Sequence, residues 1–494
     1  MKPSCVLPPA RIVVRRCGFV EWASGLPRRR PCRRSSNRRA GFRLASRSLA
    51  PAFLAAALAF AQTPASLRIA PNDLKADVSF LASDALEGRA TPSKGLDIAA
   101  EFIASQFRRA GLDPAGDDGY FQTASFESVK PNLDGLELAL DIGGRKIPVD
   151  PASMSVTQPV AAVLDNVPVE RVAANGRQSL ASSAIVIQIS AQAPRAMPGR
   201  TALRDAAMPA PAPAIVVWDG AVRDALAATP DASVNVTARI PPPAVEPVKL
   251  RNVAAILRGS DPALKDTYLL LTAHYDHLGV RPSGEGDRIF NGADDDASGT
   301  ASLIEIARVL AALPAKPQRS IVFIALFGEE IGEIGSLYYV HHPLFPLAQT
   351  IADINLEQLG RTDDSERPKV LEFNLTGFGY TTLATTFQKA AEEAGVRAVN
   401  DMPSGDSYFA RSDNARFADA GVPDTTISVA YMFPDYHAVG DEWPKLDYDN
   451  MAKVDNAIAL AALDLADSAS APEWNAQEPK AARYIKAREA AAKP

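Results

Sequence analysis

The chain has 494 residues, of which 47% are hydrophobic and 22% charged, the composition of a protein with sizeable globular cores. Its formal net charge is -6, but residues 1–61 hold 13 of the 52 Lys and Arg residues and only one of the 58 acidic residues. The rest of the chain carries 39 basic and 57 acidic residues, a net charge of -18, which argues against nucleic-acid binding by phosphate neutralisation.

The first segment, residues 1–61, has the features of an export leader. An Arg-rich stretch precedes an apolar run from Leu49 to Ala61, which is too short to span a bilayer. Residues 59–61 have the small-x-small pattern of a signal peptidase site, which predicts cleavage before Gln62. We therefore expect an exported protein, periplasmic or secreted, with no stable membrane span after cleavage. A buried helix or a membrane anchor is the alternative interpretation of the run.

The cysteines limit which metal ligands are available. All three, Cys5, Cys17 and Cys32, precede the predicted cleavage site. The mature chain would then have no thiol, so that any metal must be bound by His and carboxylate groups.

Residues 66–112 are predicted to be helical. In the second half of this segment apolar residues such as Phe102 and Phe107 recur at the spacing of an amphipathic helix. Gly111 and Pro114 are expected to end the helix.

The stretch from 127 to 246 is rich in Val, Pro and Ala and contains short apolar runs such as ELALDI and SVNVTARI. This pattern predicts a β-rich insert that folds as a separate module, with hinges at PNLDG and PPPAVEP. The expected organisation is a leader at 1–61, one domain built from 62–126 and 247–470, the insert at 127–246, and a mobile or loosely docked tail at 471–494.

Strands and helices alternate from Asn252 onward. The apolar segments YLLLTAH, IVFIALF, IADINL and TTISVA are separated by segments with helical periodicity, such as TASLIEIARVLAAL. This alternation predicts an α/β fold with a central, parallel-rich mixed sheet flanked by helices on both faces.

Three of these predicted strands end in side chains that can bind metal. The first ends at His274, the second is followed by Glu329 and Glu330, and the third is followed by Glu357. Because ligands bind outside the carboxyl ends of the strands in open α/β sheets, we expect these side chains to converge. Imidazole and carboxylate are suitable ligands for zinc.

An acidic run, Asp294 to Asp296, lies between the His-bearing strand and an apolar helix. A solvated loop is the ordinary interpretation, but this position favours a carboxylate that bridges two cations.

The Glu329-Glu330 pair also has two interpretations. Either both side chains interact with a helix dipole, or one binds metal and the other is a general base.

The five histidines of the chain are His274, His277, His341, His342 and His437. His274 and His437 lie beside acidic residues, and we interpret both as metal ligands. Asp276 is placed to orient the imidazole of His274 from outside the metal shell. The other three histidines are interpreted as structural or exposed.

Five segments, TAHYDHLG, NGADDDASG, FGEEIGEIGS, INLEQLGR and DYHAVGDEW, resemble in their order the signature of the M28 family of zinc-dependent peptidases. LASDALEGR and GLDIAAEFIASQF are also similar to the start of many members, so that the resemblance covers 66–126 and 247–466. It implies a sheet-centred zinc-peptidase fold, two cocatalytic zinc ions and commonly aminopeptidase activity. It often implies an inserted protease-associated (PA) β domain, here at 127–246.

The resemblance also implies a role for each matching residue. One zinc would be bound by His274 and Glu357, the second by Glu330 and His437, and both by a bridging Asp295, with Glu329 as the general base. Glu357 stands where the family usually has Asp, and the additional methylene moves its carboxylate by roughly one C–C bond length.

Two His and three carboxylates, one of them bridging, give each ion three protein ligands and leave a position for a shared water, as in catalytic sites. The favoured function is an exported dizinc aminopeptidase acting on peptides, with Co²⁺ or Mn²⁺ as alternative metals. A carboxypeptidase or dipeptidase on the same fold, a glutaminyl cyclase with one metal, and a non-catalytic binding relative remain open. The complete ligand set disfavours the last. Side-chain preference, native metal and oligomeric state remain open as well.

Overall fold

The computed structural model describes residues 67–174, 177–194, 202–400 and 404–491. The predicted leader, its cleavage site and the three cysteines lie outside these residues. All the described residues belong to one compact unit.

The strands of the described residues are, in chain order, β1 Asp113–Pro114, β2 Phe121–Lys130, β3 Glu137–Ile142, β4 Arg145–Pro148, β5 Met154–Gln158, β6 Ala162–Ala174, β7 Arg177–Ala181, β8 Val186–Ile189, β9 Leu203–Asp205, β10 Ala214–Val217, β11 Val234–Ile240, β12 Ala244–Leu257, β13 Tyr268–His274, β14 Gly279–Val280, β15 Ile289–Phe290, β16 Ser320–Leu326, β17 Thr350–Leu356, β18 Glu372–Leu375, β19 Arg397–Val399 and β20 Asp424–Ser428.

The α-helices are α1 Pro71–Leu81, α2 Lys94–Arg109, α3 Gly220–Ala228, α4 Gly299–Ala311, α5 Ile334–His341, α6 Leu383–Ala394, α7 Ser404–Tyr408, α8 Asn414–Asp419, α9 Tyr448–Asp467 and α10 Ala482–Ala491. Short 3₁₀ turns cover Asp84–Arg89, Pro151–Ser153, Glu329–Ile331, Leu347–Gln349, Trp443–Lys445 and Pro479–Ala481, and a π-helical turn covers Ala293–Ser298. The predicted helical segment 66–112 therefore contains α1, a 3₁₀ turn and α2.

The larger sheet has the strand order β19-β18-β20-β17-β13-β16-β12-β2-β9, with β1 paired beside it to β12. Its centre is parallel, because β20, β17, β13 and β16 run in the same direction. The strands β12, β2 and β9 continue it in antiparallel pairing. This arrangement confirms the predicted α/β fold with a central parallel-rich mixed sheet.

Every residue of β16, and every residue of β13 after Tyr268, is buried, as expected for strands covered on both faces. Alternate side chains enter different cores, since successive residues of a strand point to opposite faces. Leu269 and Leu271 pack in the core that includes α4 and α9. Leu270 packs in a second core with Tyr339 of α5 and Phe417 of α8. Burial of each such side chain stabilises the fold by about 1.5–3 kcal/mol.

Most of the chain between β2 and β12 forms a second sheet, of order β4-β3-β11-β6-β7-β8-β10-β5. Apolar side chains such as Leu140, Ile187 and Val236 pack in a core of their own. The segment is thus β-rich, as its composition predicts.

The edges of this segment differ from the expected boundaries at 127 and 246. β2 and β12 pair as an antiparallel ribbon from Phe121 opposite Val253 to Lys130 opposite Ala244. β9 leaves the segment and pairs with β2 at the edge of the larger sheet. The Nε of Arg204 in β9 donates to Glu127 in β2 at 2.9 Å, which holds the added strand in place. The expectation of a wholly separate module does not hold at this edge.

The expectation of a loosely docked tail is wrong for residues 471–491. Trp474 donates from Nε1 to the main-chain oxygen of Gly421 at 3.0 Å, and its ring stacks on Tyr484 at 4.7 Å. Arg488 donates to the main-chain oxygen of Leu347 at 3.0 Å. Both aromatic rings pack in a buried cluster with Tyr380 and Phe409. Across the described residues, no helix has both the length and the apolar character that crossing a membrane requires.

Candidate metal centre

His274 is the last residue of β13, and its side chain is buried. Its Nε2 lies 3.4 Å from Oδ1 of Asp295. Its Nδ1 lies 3.2 Å from the main-chain oxygen of Asp276 and 3.7 Å from the nearer carboxylate oxygen of that residue. The main-chain oxygen of Asp276, rather than its carboxylate, is the atom nearer to the imidazole.

The three consecutive aspartates do three different things. Oδ1 of Asp294 accepts hydrogen bonds from the main-chain nitrogens of residues 360 and 361, at 2.6 and 3.0 Å. Asp296 accepts from the nitrogens of Gly299 and Gln358. Asp295 alone of the three directs its carboxylate toward the histidines. This arrangement places one carboxylate in the site and uses its two neighbours to fix the loop.

Asp441 supports the same loop from the opposite side. Its carboxylate accepts hydrogen bonds from the main-chain nitrogens of Asp294 and Asp295 at 3.0 and 3.1 Å. Hydrogen bonds between carboxylates and main-chain nitrogens therefore fix the position of the loop that carries Asp295.

Glu329 and Glu330 follow β16 in a tight turn. Gly328 has φ +74°, and a Cβ there would lie 2.4 Å from Cγ1 of Ile334, so that the position requires glycine. The main-chain nitrogen of Glu329 donates to Oδ1 of Asp276 at 3.1 Å. The exits of β13 and β16 are therefore tied together beside the two glutamates.

Glu330 lies among Asp295 and two histidines. Nε2 of His437 is 3.1 Å from Oδ2 of Asp295 and 3.4 Å from Oε2 of Glu330. Nδ1 of His277 is 2.7 Å from Oε1 of Glu330. Of the two interpretations of His277, structural or exposed, the structure excludes the second, since His277 is buried inside the candidate centre. His342, in contrast, lies near Asp205 at 4.0 Å, outside this cluster.

Glu357 follows β17 and completes the other side of the site. It lies with His274 and Asp295 in one group of three, and His277, Asp295 and Glu330 form a second group. The ligand atoms of each group are within 4.8 Å of one another. Asp295 is common to both groups.

The separations between these atoms fit metal ligands better than hydrogen bonds. Two atoms that each lie about 2.0–2.2 Å from one tetrahedral zinc are roughly 3.3 Å apart. The measured 3.4, 3.1 and 3.4 Å between His274 and Asp295, His437 and Asp295, and His437 and Glu330 are close to that value. Among the described residues, Nε2 of His274 and Oδ2 of Asp295 are buried without a hydrogen-bond partner. Buried polar atoms normally have one, so that a cation is the fitting partner here.

The two adjacent glutamates have opposite electrostatic environments. Burial raises the pKa of Glu329 well above its ordinary value, and the neighbouring carboxylates of Glu330 and Glu357 act in the same direction. For Glu330, burial and Asp295 also favour the neutral form, but His277 and His437 outweigh them and lower its pKa to about 2. Paired groups whose pKa values are pushed apart are typical of divided roles in catalysis.

The site opens into a cleft of about 250 Å³. Glu329, Glu330, Glu357, Asp295 and His437 form one wall. The remaining wall is mostly polar and aromatic: Gly332, Glu333, Gln358, Thr376, Tyr408, Arg411, Ser412, Thr426, Ser428, Tyr431 and Tyr436.

The fold and the cluster together define an α/β metalloprotein with a candidate metal centre at the carboxyl edge of its parallel strands. Residues 252–462 match the model of peptidase family M28.

Two curated relatives are similar in sequence to the chain, and one solved structure is similar in fold. A probable zinc metalloprotease of Pyrenophora tritici-repentis is 31% identical over 208 residues, which cover 41% of this chain and 44% of the relative. Aminopeptidase YwaD of Bacillus subtilis is 25% identical over 217 residues, covering 43% and 44%. The matched part thus spans less than half of each relative. The aminopeptidase from Aneurinibacillus sp. strain AM-1 has the same fold, with a TM-score of 0.51 over 81% of this chain and 95% of that one, at 19% identity.

Proposed function

We propose that this chain is a zinc-dependent peptidase that removes residues from the N-terminus of peptides, with two zinc ions at the candidate centre. The observation that carries the proposal is the pair of ligand groups sharing Asp295, directly beside Glu329 in a small cleft. The family match and the names of the relatives support the same reaction class.

The residues present fit two zinc ions. His274, Asp295 and Glu357 would hold one ion, and Asp295, Glu330 and His437 the other. His277 is closer to Glu330 than two ligands of one ion would be, so that it would hold the Glu330 carboxylate rather than a metal. When bound, the ions supply Lewis acidity that polarises the scissile carbonyl and activates water at neutral pH.

Glu329 is proposed as the general base. A carboxylate oxygen of Glu329 takes the proton of the attacking water and delivers it to the amine that leaves. Glu329 lines the cleft directly beside the ligand Glu330, which puts a proton acceptor next to the candidate centre. Asp276 positions this residue through the hydrogen bond to its main-chain nitrogen.

The size of the cleft favours a chain end over the interior of a polypeptide. A volume of about 250 Å³ lies below the usual lower bound of roughly 300 Å³ for small-ligand sites. The acidic wall suits a free α-amino group, and the Bacillus subtilis relative is named an aminopeptidase.

We further propose export, on the basis of the basic stretch and the apolar run before Gln62.

Hydrolysis of a panel of aminoacyl and N-blocked peptides, with and without a chelator, tests the proposal. We expect cleavage of free but not N-blocked substrates, loss of activity after chelation, and recovery with Zn²⁺ or Co²⁺. Full activity in protein shown by elemental analysis to contain no metal would contradict it. Cleavage of N-blocked peptides at their C-terminus would favour a carboxypeptidase.

A further inference from the structure

One charged side chain of the cleft is not used by the proposed chemistry. Arg411 is the single Lys or Arg among the described residues that line the cleft. It is exposed to solvent, and none of the described carboxylates lies within ion-pair distance of its guanidinium. It lies three residues after Tyr408, the last residue of α7, and stands over the ring of that tyrosine, 4.7 Å from its centre.

The acidic side chains of the same cleft are already occupied. Asp295, Glu330 and Glu357 belong to the ligand groups, and Glu329, which also lines the cleft, is the proposed general base. Glu333 forms an ion pair of 2.8 Å with Arg416. Arg411 is therefore the one basic side chain of the cleft lining that is left without a carboxylate partner among the described residues.

The aromatic rings next to Arg411 favour a defined position of its side chain. Tyr408 stacks in turn on Tyr431, with ring centres 4.5 Å apart and an interplanar angle of 13°. A guanidinium supported by a ring can still donate from its N–H groups, and it can bind a carboxylate through two hydrogen bonds.

We propose that Arg411 binds a carboxylate of the substrate, and so selects peptides that carry a negative charge close to the scissile bond. The inference rests on the proposed peptidase function. This carboxylate can belong to either of two groups: the C-terminus of a dipeptide, or the side chain of an acidic N-terminal residue. A cleft of about 250 Å³ brings either group near the metal centre.

The test compares substrates that differ only in this charge. Leu-Gly is compared with Leu-Gly-amide, and Glu-p-nitroanilide with Gln-p-nitroanilide, in the wild type, Arg411→Gln and Arg411→Lys. Arg108→Gln is the matched control, because Arg108 also stands over a tyrosine ring, at 5.0 Å, but outside the cleft.

We expect the wild type to prefer the charged member of one pair, and Arg411→Gln to reduce that preference about ten- to a hundredfold, the usual range for losing one charge-assisted interaction. Arg411→Lys should restore part of it, and kcat/KM for the uncharged member should not change. The pair that responds identifies the source of the carboxylate. Equal loss for charged and uncharged substrates, or no change in either ratio, would overturn the inference.

The role of Arg411 can also be tested if no peptide is hydrolysed. Calorimetric binding of Leu-Gly and Leu-Gly-amide to zinc-loaded Glu329→Gln, with and without Arg411→Gln, separates the two failures. Tighter binding of the free carboxylate that disappears with Arg411→Gln would support the inference, even where the proposed reaction is wrong. Equal binding of both ligands would overturn the inference, and the proposed reaction would still be tested separately by the substrate panel.

Discussion

The Nε of Arg89 donates a hydrogen bond to the main-chain oxygen of Tyr275 at 2.9 Å. The same guanidinium donates to the main-chain oxygens of Asn291 at 2.8 Å and Gly292 at 3.0 Å, and also to that of Leu81. One fully buried side chain thus joins the exit of β13, which carries His274, to the loop that carries Asp295.

Replacing Arg89 by Met should destabilise the fold and loosen the metal centre. Four main-chain oxygens would lose their donor in a buried site, where each unsatisfied group costs about 1–3 kcal/mol. We expect the free energy of unfolding to fall by several kcal/mol, with lower zinc content in the protein that remains folded. Urea unfolding and elemental analysis measure the two effects. Arg109→Met, an exposed arginine on the adjacent helix α2, should change neither.

The two adjacent glutamates should respond differently to the same substitution. Glu329→Gln should keep both metals and lose about 10²–10⁴-fold in turnover, because it removes the proton acceptor only. Glu330→Gln should lower metal occupancy, since an amide is a weaker zinc ligand than a carboxylate. Asp295→Asn should lower it most, because both ligand groups use this residue. Metal stoichiometry and turnover are measured for all three variants. If Glu329→Gln loses metal and Glu330→Gln retains it, Glu329 is the ligand and Glu330 is the base.

The histidines beside Glu330 give a second comparison. His437→Gln should remove about one equivalent of zinc, because its Nε2 lies at ligand separation from both Asp295 and Glu330. His277→Gln should keep zinc with an affinity about 10–100-fold weaker, the usual effect of losing a side chain that orients a ligand. Competition with a zinc-binding dye measures both. His342→Gln serves as the control, and a larger loss in His277→Gln than in His437→Gln would make His277 the ligand.

Asp77 of α1 should make stability depend on pH. Burial, with help from the nearby Glu305 and Asp73, raises the pKa of Asp77 to about 7. The folded state therefore binds a proton that the unfolded state releases above pH 3.8, the ordinary value. The stability from this group is present below about pH 4 and is lost as the pH rises to about 7.

Asp77→Asn removes this dependence. The variant should match the wild type near pH 4 and exceed it by about 1–3 kcal/mol at pH 8, in the free energy of unfolding measured by urea titration. Asp73→Asn, an exposed carboxylate on the same helix, should not show this increase. A constant difference between Asp77→Asn and the wild type across the pH range would contradict the prediction.

The strands and most of the candidate ligands could be predicted because both depend on local sequence. Apolar runs specify buried strands, and a residue that directly follows a parallel strand, such as Glu357, must lie at the carboxyl edge of the sheet. His277 could not be assigned in this way, since it lies three residues beyond the end of β13 and its direction depends on the path of the loop. The HYDH spacing, with an acid between two histidines, was the available signal.

Contacts between distant segments account for the other differences. The four main-chain acceptors of Arg89 are spread over about two hundred positions, and no periodicity in the sequence indicates them. The docking of Trp474 and the pairing of β9 with β2 likewise depend on surfaces that exist only after folding.

The pairing of β9 with β2 has a consequence for any attempt to delete the β-rich segment. β9 occupies hydrogen-bonding groups of Phe126 to Ser128 at what would otherwise be the open edge of the larger sheet. An uncovered edge strand is a template for pairing with strands of other molecules. A shortened chain that joins β2 to β12 by a hairpin would keep the metal ligands but expose this edge, and we expect it to self-associate unless a lysine or proline is introduced in β2.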